Sequence, residues 1–350
     1  MPAPLDLARN EWSLVMTRIV CFGELLLRLT APGRELLLQT PRLDVHIGGA
    51  EANVAVGLAS LGHRTAMISR VPANPLGEAA SGYLRRYGVD AAGVTAGAGR
   101  IGLYFLSPGA GLRPSDIVYD REGSSFALAG QEDFDWDALL EGASLFHLSG
   151  ITPALGPQSA ALAVAAAEAA AARGIRVSFD GNYRAQLWAR WDSDPRSILT
   201  ELVSRADILF GNHRDISLLL GGSYSGEGEA RRREAADAAF AAFPKLGLIA
   251  STARHIVDAD THRIAARVDA REGSAQTEEV AVSGIVDRIG AGDAFAAGVL
   301  HGILTGAALE ETARFGLALT ALKHSLPGDA SLFGLRDIEA FLAGELDVRR

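Results

Sequence analysis

Cysteine is nearly absent from this chain: Cys21 is the only one in 350 residues, so no intrachain disulfide can form. Its place in the apolar run 19–22 marks it as a buried, inert thiol rather than a nucleophile or ligand. A surplus of positive charge is missing too. With a formal net charge of −9 and a pI near 5.4, nucleic acids and anionic membranes are not expected partners, and an anionic ligand must be met by local arginines. No uncharged run reaches membrane-spanning length, and the first fifteen residues, with Asp6 and Glu11, lack the basic-then-apolar pattern of a secretory signal. A cytoplasmic location is expected. The sequence has no G-x-x-x-x-G-K-[ST] phosphate loop, no protein-kinase loop motif, and no zinc-binding spacing among its eight histidines. The one literal G-x-G-x-x-G, from Gly97 to Gly102, leads into a strand-like run instead of a helix, which excludes a dinucleotide site there.

What is present suffices for a large core, since 48% of residues are hydrophobic and 21% charged. Residues 1–15 read as a loose extension or an upstream start-codon choice, and 16–345 as one domain. Strand-like runs at 18–22, 25–30, 65–69, 145–148, 175–180, 207–210 and 246–250 alternate with helix-like runs at 50–61, 76–87, 158–173, 195–204, 212–220 and 229–243. Helix-like runs at 294–304 and 309–324 and a short one near 337–342 close the chain. This alternation predicts an α/β fold with a doubly wound, mainly parallel sheet, helices on both faces, and ligands beyond the carboxyl ends of the strands. Two stretches break the pattern. Residues 33–47 read as strand pieces broken by Pro41, and in 100–130 Tyr104, Phe105, Val118, Tyr119 and Phe126 alternate with Gly, Pro, Ser and Arg as in short antiparallel strands. Residues 25–47 and 100–130 are therefore expected to supply a small β-strand lid.

The chain is organised around Asp287-Arg288-Ile289-Gly290-Ala291-Gly292-Asp293-Ala294-Phe295, between a strand-like run at 280–286 and the helix-like run at 294–304. A glycine-rich turn opening a helix presents free N–H groups at the positive end of the helix dipole and suits an anion such as phosphate. A carboxylate beside that anion would repel it unless it has another task. For Asp293 the fitting task is to accept the proton of a substrate hydroxyl as it attacks a γ-phosphoryl group. Helix capping by Asp293 and plain turn formation by the glycines is the alternative that this stretch alone leaves open.

Other pieces follow in order: Gly23-Glu24-Leu25, Gly48-Gly49-Ala50-Glu51-Ala52-Asn53, Gly102-Leu103-Tyr104, Tyr119-Asp120-Arg121, Asp180-Gly181-Asn182-Tyr183-Arg184 and Lys323-His324-Ser325-Leu326-Pro327-Gly328-Asp329. With these the chain resembles the ribokinase-like (PfkB) carbohydrate kinases from about Arg18 to Leu335, and among them looks most like the 2-keto-3-deoxygluconate kinases. The resemblance implies a ribokinase-like fold and ATP-dependent phosphorylation of a sugar acid at its terminal hydroxyl, with Mg2+ and a monovalent cation as further cofactors. It implies Asp293 as base and the N–H groups of Gly290, Ala291 and Gly292 as anion hole. Gly49, Asn53, Tyr104, Tyr119, Arg121, Ile151 and Arg184 would surround the sugar, with Asp180, Asn182 and Asp287 behind them. Asn212, Lys323 and His324 would lie on the nucleotide side, and Asp215 would reach a metal through water.

The residue chemistry bears on several of these positions. Gly48-Gly49 lets backbone approach a polyol closely, and the Asn53 amide offers both donor and acceptor. A planar guanidinium binds a sugar carboxylate through paired N–H donors, which points to Arg121 and Arg184. Asn212 with an acid three residues later is equally a local helix cap, and Asp215 stands where the family usually has Glu. Arg288 and Ile289 replace the hydroxyl residues common across the wider family, in the form of the keto-deoxygluconate subgroup. Residues 251–257 lack the glycines that many relatives carry near the nucleotide phosphates. A neutral-sugar kinase such as a fructokinase and a non-catalytic sugar-binding regulator on the same fold are the rival expectations. A homo-oligomer is expected because an exposed lid edge seeks a partner.

Overall fold

A computed structural model describes residues 18–345, so the extension expected at 1–15 lies outside the described residues. The central sheet grows from β1 (Arg18–Phe22), whose sequence has no side that suits water. Ile19 and Cys21 enter the core on one face of the sheet, and Val20 and Phe22 enter the core on the other. A strand buried on both faces is what a parallel sheet flanked by helices requires. Burial pushes the Cys21 thiol far above its ordinary pKa, so it stays protonated and inert.

The chain continues through β2 (Leu26–Thr30), β3 (Asp44–Gly48), α1 (Ala50–Ser60), β4 (Arg64–Pro72), α2 (Pro75–Arg86), β5 (Val94–Gly97), β6 (Gly102–Ser107) and β7 (Asp116–Asp120). Next come α3 (Trp136–Leu139), β8 (Ala143–Ser149), α4 (Ile151–Ala154), α5 (Pro157–Ala172), β9 (Arg176–Asp180), α6 (Ala185–Trp188) and α7 (Pro195–Ser204). They are followed by β10 (Ile208–Phe210), α8 (His213–Leu220), α9 (Gly228–Ala242), β11 (Leu248–Asp258), β12 (Thr261–Ala270), β13 (Ser274–Gln276) and β14 (Val280–Ser283). Helices α10 (Ala291–Thr305), α11 (Leu309–Lys323) and α12 (Leu335–Ala343) end the described chain.

The main sheet has ten strands in the order β13-β12-β11-β10-β9-β8-β1-β4-β5, with β14 also paired to β12. From β11 to β5 every pairing is parallel, and the pairings of β12 are antiparallel. Side chains of α1, α2, α10, α11 and α12 fill the core on one face, and those of α5, α7, α8 and α9 fill the other. This is the ribokinase-like arrangement. A separate four-stranded sheet, β3-β2-β6-β7, is drawn from the two stretches expected to supply a lid. Its central pair, β2 and β6, is parallel, and the outer pairings are antiparallel.

Glycines set the position of α10 against α11. A Cβ at Gly298 would run into the backbone of Phe315, and one at Gly302 into Thr312. The two helices therefore approach backbone to backbone, and small shifts of α10 are resisted by close packing.

Several boundaries differ from the sequence expectation. Strand β11 does not stop at residue 250 but runs to Asp258 and turns back as β12, which periodicity did not reveal. This hairpin lies toward one end of the sheet, and it mixes exposed residues such as His255 and Arg263 with buried polar ones such as His262, Arg267 and Asp269, so the pattern looks like loop. Helix α10 begins at Ala291 rather than at 294, and of residues 33–47 only those from Asp44 onward form a strand.

Candidate active site

The carboxyl ends of β9 and β10, the N-termini of α1 and α10 and the inner face of the lid enclose a cleft of about 1040 Å³. Gly290 caps α10 in a left-handed conformation (φ 78°), and a Cβ there would overlap the carbonyl oxygen of Asp329. Only glycine permits that turn. The N–H of Ala294 donates to Gly290 O at 2.8 Å, closing the first helical turn, and the N–H of Ala291 reaches Arg288 O at 3.3 Å. The N–H groups of Gly290 and Gly292 make no hydrogen bond within the described residues, and both glycines line the cleft. Gly292 is instructive because a Cβ there would meet no protein atom. Internal packing does not demand a glycine at that position, whereas a ligand seated on the helix N-terminus would.

Asp293 is held in place by Asn53, whose Nδ2 donates to Asp293 Oδ2 at 2.6 Å. Desolvation in the cleft raises the Asp293 carboxyl to about 8; the Asn53 hydrogen bond opposes the rise, and nearby Asp180, Asp329 and Glu51 add to it. Asn53 Oδ1 is buried and has no partner, so it is an acceptor waiting for a hydroxyl donor. Gly49 starts α1 at φ 146°, where a Cβ would strike Glu24 O. Ile151 opens α4 and lines the same cleft.

Beneath the cleft lies an ion cluster that joins Asp287 and Asp329 to Arg28, a residue the sequence reading did not single out. Arg28, fully buried on lid strand β2, pairs with Asp287 at 2.6 Å and with Asp329 at 3.0 Å. Tyr104 from β6 donates its hydroxyl to Asp329 Oδ2 at 2.6 Å, so this tyrosine lines the cleft with its hydroxyl already engaged. Asp287 also accepts the N–H groups of Ile289 (2.9 Å) and Gly328 (3.0 Å), which makes it the organiser of the turn rather than a cleft residue. Lys323 departs from its expected nucleotide-side position: it is buried, and its Nζ donates to the carbonyls of Asp287 and Leu326 at 3.2 and 3.1 Å. Desolvation lowers its pKa, against the opposing charges of Asp287 and Asp329. His324 does border an adjoining cavity of about 470 Å³.

The arginines divide into two kinds. Arg121, from the end of the lid, is buried against Glu24, which neutralises it and turns part of its donor set away from the cleft. Arg184, Arg214, Arg254 and Arg288 also line the cleft, and none has an ion-pair partner among the described residues. Tyr119 stands beside Tyr104 with ring centroids 6.2 Å apart. Asp180 and Asn182 follow β9; Asp180 accepts the Asn182 N–H at 3.0 Å, and desolvation with the charge of Asp215 raises it to about 7. Asn212 and Asp215 form a reciprocal cap on α8, with Asp215 Oδ2 accepting the Asn212 N–H at 2.8 Å. That local role is real, and both residues still line the cleft.

A doubly wound α/β protein whose cleft sets the free N–H groups of a helix N-terminus beside a buried carboxylate has the parts that phosphoryl transfer requires. Over residues 16–332 the sequence matches the pfkB family carbohydrate kinase. The chain belongs to that family and is a sugar kinase. It is 30% identical to a 2-dehydro-3-deoxygalactonokinase of Haloferax volcanii over 93% of this chain and 96% of that one. It is 28% identical to a 2-dehydro-3-deoxygluconokinase of Bacillus subtilis, over 95% and 97% of the two chains. The structure of the 2-dehydro-3-deoxygluconokinase of Thermotoga maritima superposes with a TM-score of 0.88 at 37% identity, covering 94% of this chain and 100% of that chain.

Two outcomes follow from this geometry. Gly292→Ala is expected to fold with at least wild-type stability, since Ala is the better helix former, yet to lose about tenfold or more of its kinase activity. Thermal melts and turnover measured side by side check it, and an active Gly292→Ala enzyme would contradict it. The second concerns pH. The folded-state value of Asp293 lies above the ordinary 3.8, so its ionised form opposes folding; this effect is absent at acid pH, grows as pH rises from 3.8 and is complete above about 8. The melting temperature of Asp293→Asn relative to wild type should therefore climb between pH 5 and pH 8, both values spanning roughly the window set by that linkage. A pH-independent difference would contradict the raised value.

Proposed function

We propose that this kinase transfers the terminal phosphoryl group of ATP to the terminal hydroxyl of a 2-keto-3-deoxy sugar acid, 2-keto-3-deoxygluconate foremost. The observation that carries this is Arg184, which lines the same cleft as Asp293 and Asn53 and makes no ion pair among the described residues, its charge reaching Asp180 and Asp215 only from beyond contact distance. A neutral sugar offers such a guanidinium no counter-charge, whereas a carboxylate offers a bidentate one. The names of the Haloferax, Bacillus and Thermotoga relatives agree with a keto-deoxy acid. The pairing of Arg121 with Glu24 favours a second candidate, a neutral ketose such as fructose, because it removes one of the two charges expected to meet an acid.

In this mechanism Asn53 fixes Asp293 and accepts a hydrogen bond from the sugar with its unpaired Oδ1. Asp293 takes the proton of the attacking hydroxyl as the new O–P bond forms; the bond from the γ-phosphorus to the bridging oxygen breaks, and its electron pair leaves with ADP. The N–H groups of Gly290 and Gly292 hold the charge on the transferring group. The family also implies Mg2+, which would neutralise charge on the donor's phosphates. Asp180 and Asp215 suit it: two neighbouring carboxyls, with no ion-paired arginine or lysine among the described residues, match an ion that takes one or two carboxylates and fills its remaining positions with water and phosphate.

Asp293→Asn is expected to lower kcat by ~10²–10⁴ with a modest change in sugar KM, and wild-type-like turnover would remove Asp293 from this role. Arg184→Ala is expected to raise KM for the keto acid by roughly tenfold or more while leaving a neutral sugar unaffected. Equal effects on both sugars in steady-state kinetics would contradict the carboxylate assignment.

A further inference from the structure

Arg254 and Arg288 have no part in sugar recognition as described above. Arg288 lies in the turn just before Gly290, and Arg254 projects from β11, in the stretch 251–257 that contains no glycine. Both line the main cleft. Arg254 also lines the adjoining cavity, as do Asn212, Arg214, Ser251, Ala291 and Gly292. This shared wall is an isthmus, so a molecule spanning the two cavities passes over the N-terminus of α10.

Neither arginine has an ion-pair partner among the described residues, although the chain has 42 acidic side chains against 33 basic ones. Other arginines, such as Arg28, Arg121 and Arg267, are buried against carboxylates. Here the opposite holds. Desolvation, and then the charges of Arg288 and Arg184, depress the pKa of Arg254, so these cations stand close enough to repel one another. A bound polyanion would turn that standing repulsion into attraction.

We infer that Arg254 and Arg288 form a two-arginine clamp on the phosphates of the donor, Arg254 gripping them where the two cavities meet and Arg288 holding the phosphoryl group in transfer. This rests on the assignment of the cleft as an ATP-dependent kinase site. A guanidinium presents paired N–H donors to phosphate oxygens, and it keeps its charge whatever the pH of the reaction. Arg288 thus adds a full positive charge to the backbone N–H groups of Gly290 and Gly292 as charge redistributes over the transferring oxygens. Arg254 performs, by side chain, the contact that backbone N–H groups make in a glycine-rich phosphate loop.

The test is binding of ATP and of inorganic tripolyphosphate, by titration calorimetry, to wild type, Arg254→Ala, Arg288→Ala and Arg254→Lys, with steady-state kinetics and melts at low salt. Arg254→Ala is expected to weaken both ligands about tenfold or more, with Lys restoring part of the loss, because each charged hydrogen bond to phosphate has roughly that worth. Arg288→Ala should weaken binding less and lower kcat by about 10². Both alanine variants should keep the sugar KM near the wild-type value and melt no lower than wild type at low salt, since each removes one of a set of like charges. Unchanged ligand binding together with unchanged kcat in the variants would overturn the clamp, and so would a melt several degrees below wild type, which would make these arginines structural. A wild type that binds neither ATP nor tripolyphosphate would instead overturn the kinase-site assignment itself. If only the sugar is misassigned, the binding arm still reports on the clamp.

Discussion

The ion cluster of Arg28, Asp287 and Asp329 is the joint on which the rest of the site depends. Arg28 is 1% exposed and Asp329 3%, so these charges have left water almost completely. Such a group is tolerable only when charge and hydrogen-bonding capacity are met together, and removal of one member leaves the others uncompensated. The partners come from distant parts of the chain: Arg28 from β2, Tyr104 from β6, Asp287 from the turn before α10, and Asp329 from the segment after α11. One cluster therefore ties the four-stranded sheet to the glycine-rich turn that opens α10. Asp287 in addition shapes that turn through Ile289 and Gly328, and Asp329 supplies the carbonyl that leaves room only for a glycine at 290. The direction in which α10 presents its free N–H groups is set by these contacts and by its close approach to α11.

Above this joint the charges in the cleft are segregated. Acids lie deep, with desolvation and then the charges of Asp180, Asp329 and Glu51 raising the proton affinity of Asp293, while Arg184, Arg214, Arg254 and Arg288 lie along the wall without an ion pair among the described residues. In a chain of net charge −9 this local inversion makes the cleft wall a place where an anionic ligand is attracted. A carboxyl whose pKa lies near neutrality suits the role of base proposed for Asp293.

Much of the fold could be read from the sequence because its signals are local. The run at β1 and the alanine-rich α5 carry burial and helix preference in consecutive residues, and the turn from Asp287 to Asp293 combines glycine chemistry with an acid at a helix start. Cleft-lining positions such as Asn53 and Arg184 follow strands or open helices, where the architecture sends functional side chains. What escaped has a physical reason. Arg28 stands in a leucine-rich strand as a lone charge, and its partner Asp287 is 259 residues away, a contact no window can show. Lys323, in a polar segment near the chain's end, looks like a ligand contact, but in the fold it is swallowed by the carbonyls it braces. Arg254 lies on a strand that alternates small, polar and charged residues, a pattern that reads as loop until the antiparallel register of β11 with β12 is seen.

The most direct measurement is ADP release by the purified protein with ATP and Mg2+, comparing 2-keto-3-deoxygluconate, fructose and ribose at matched concentrations. A strong preference for the keto acid is the predicted result, because the unpaired Arg184 has a carboxylate to bind only in that sugar. A preference for fructose or ribose would contradict the assignment of an acid substrate, and the Glu24–Arg121 pair would then mark the site as one for a neutral sugar.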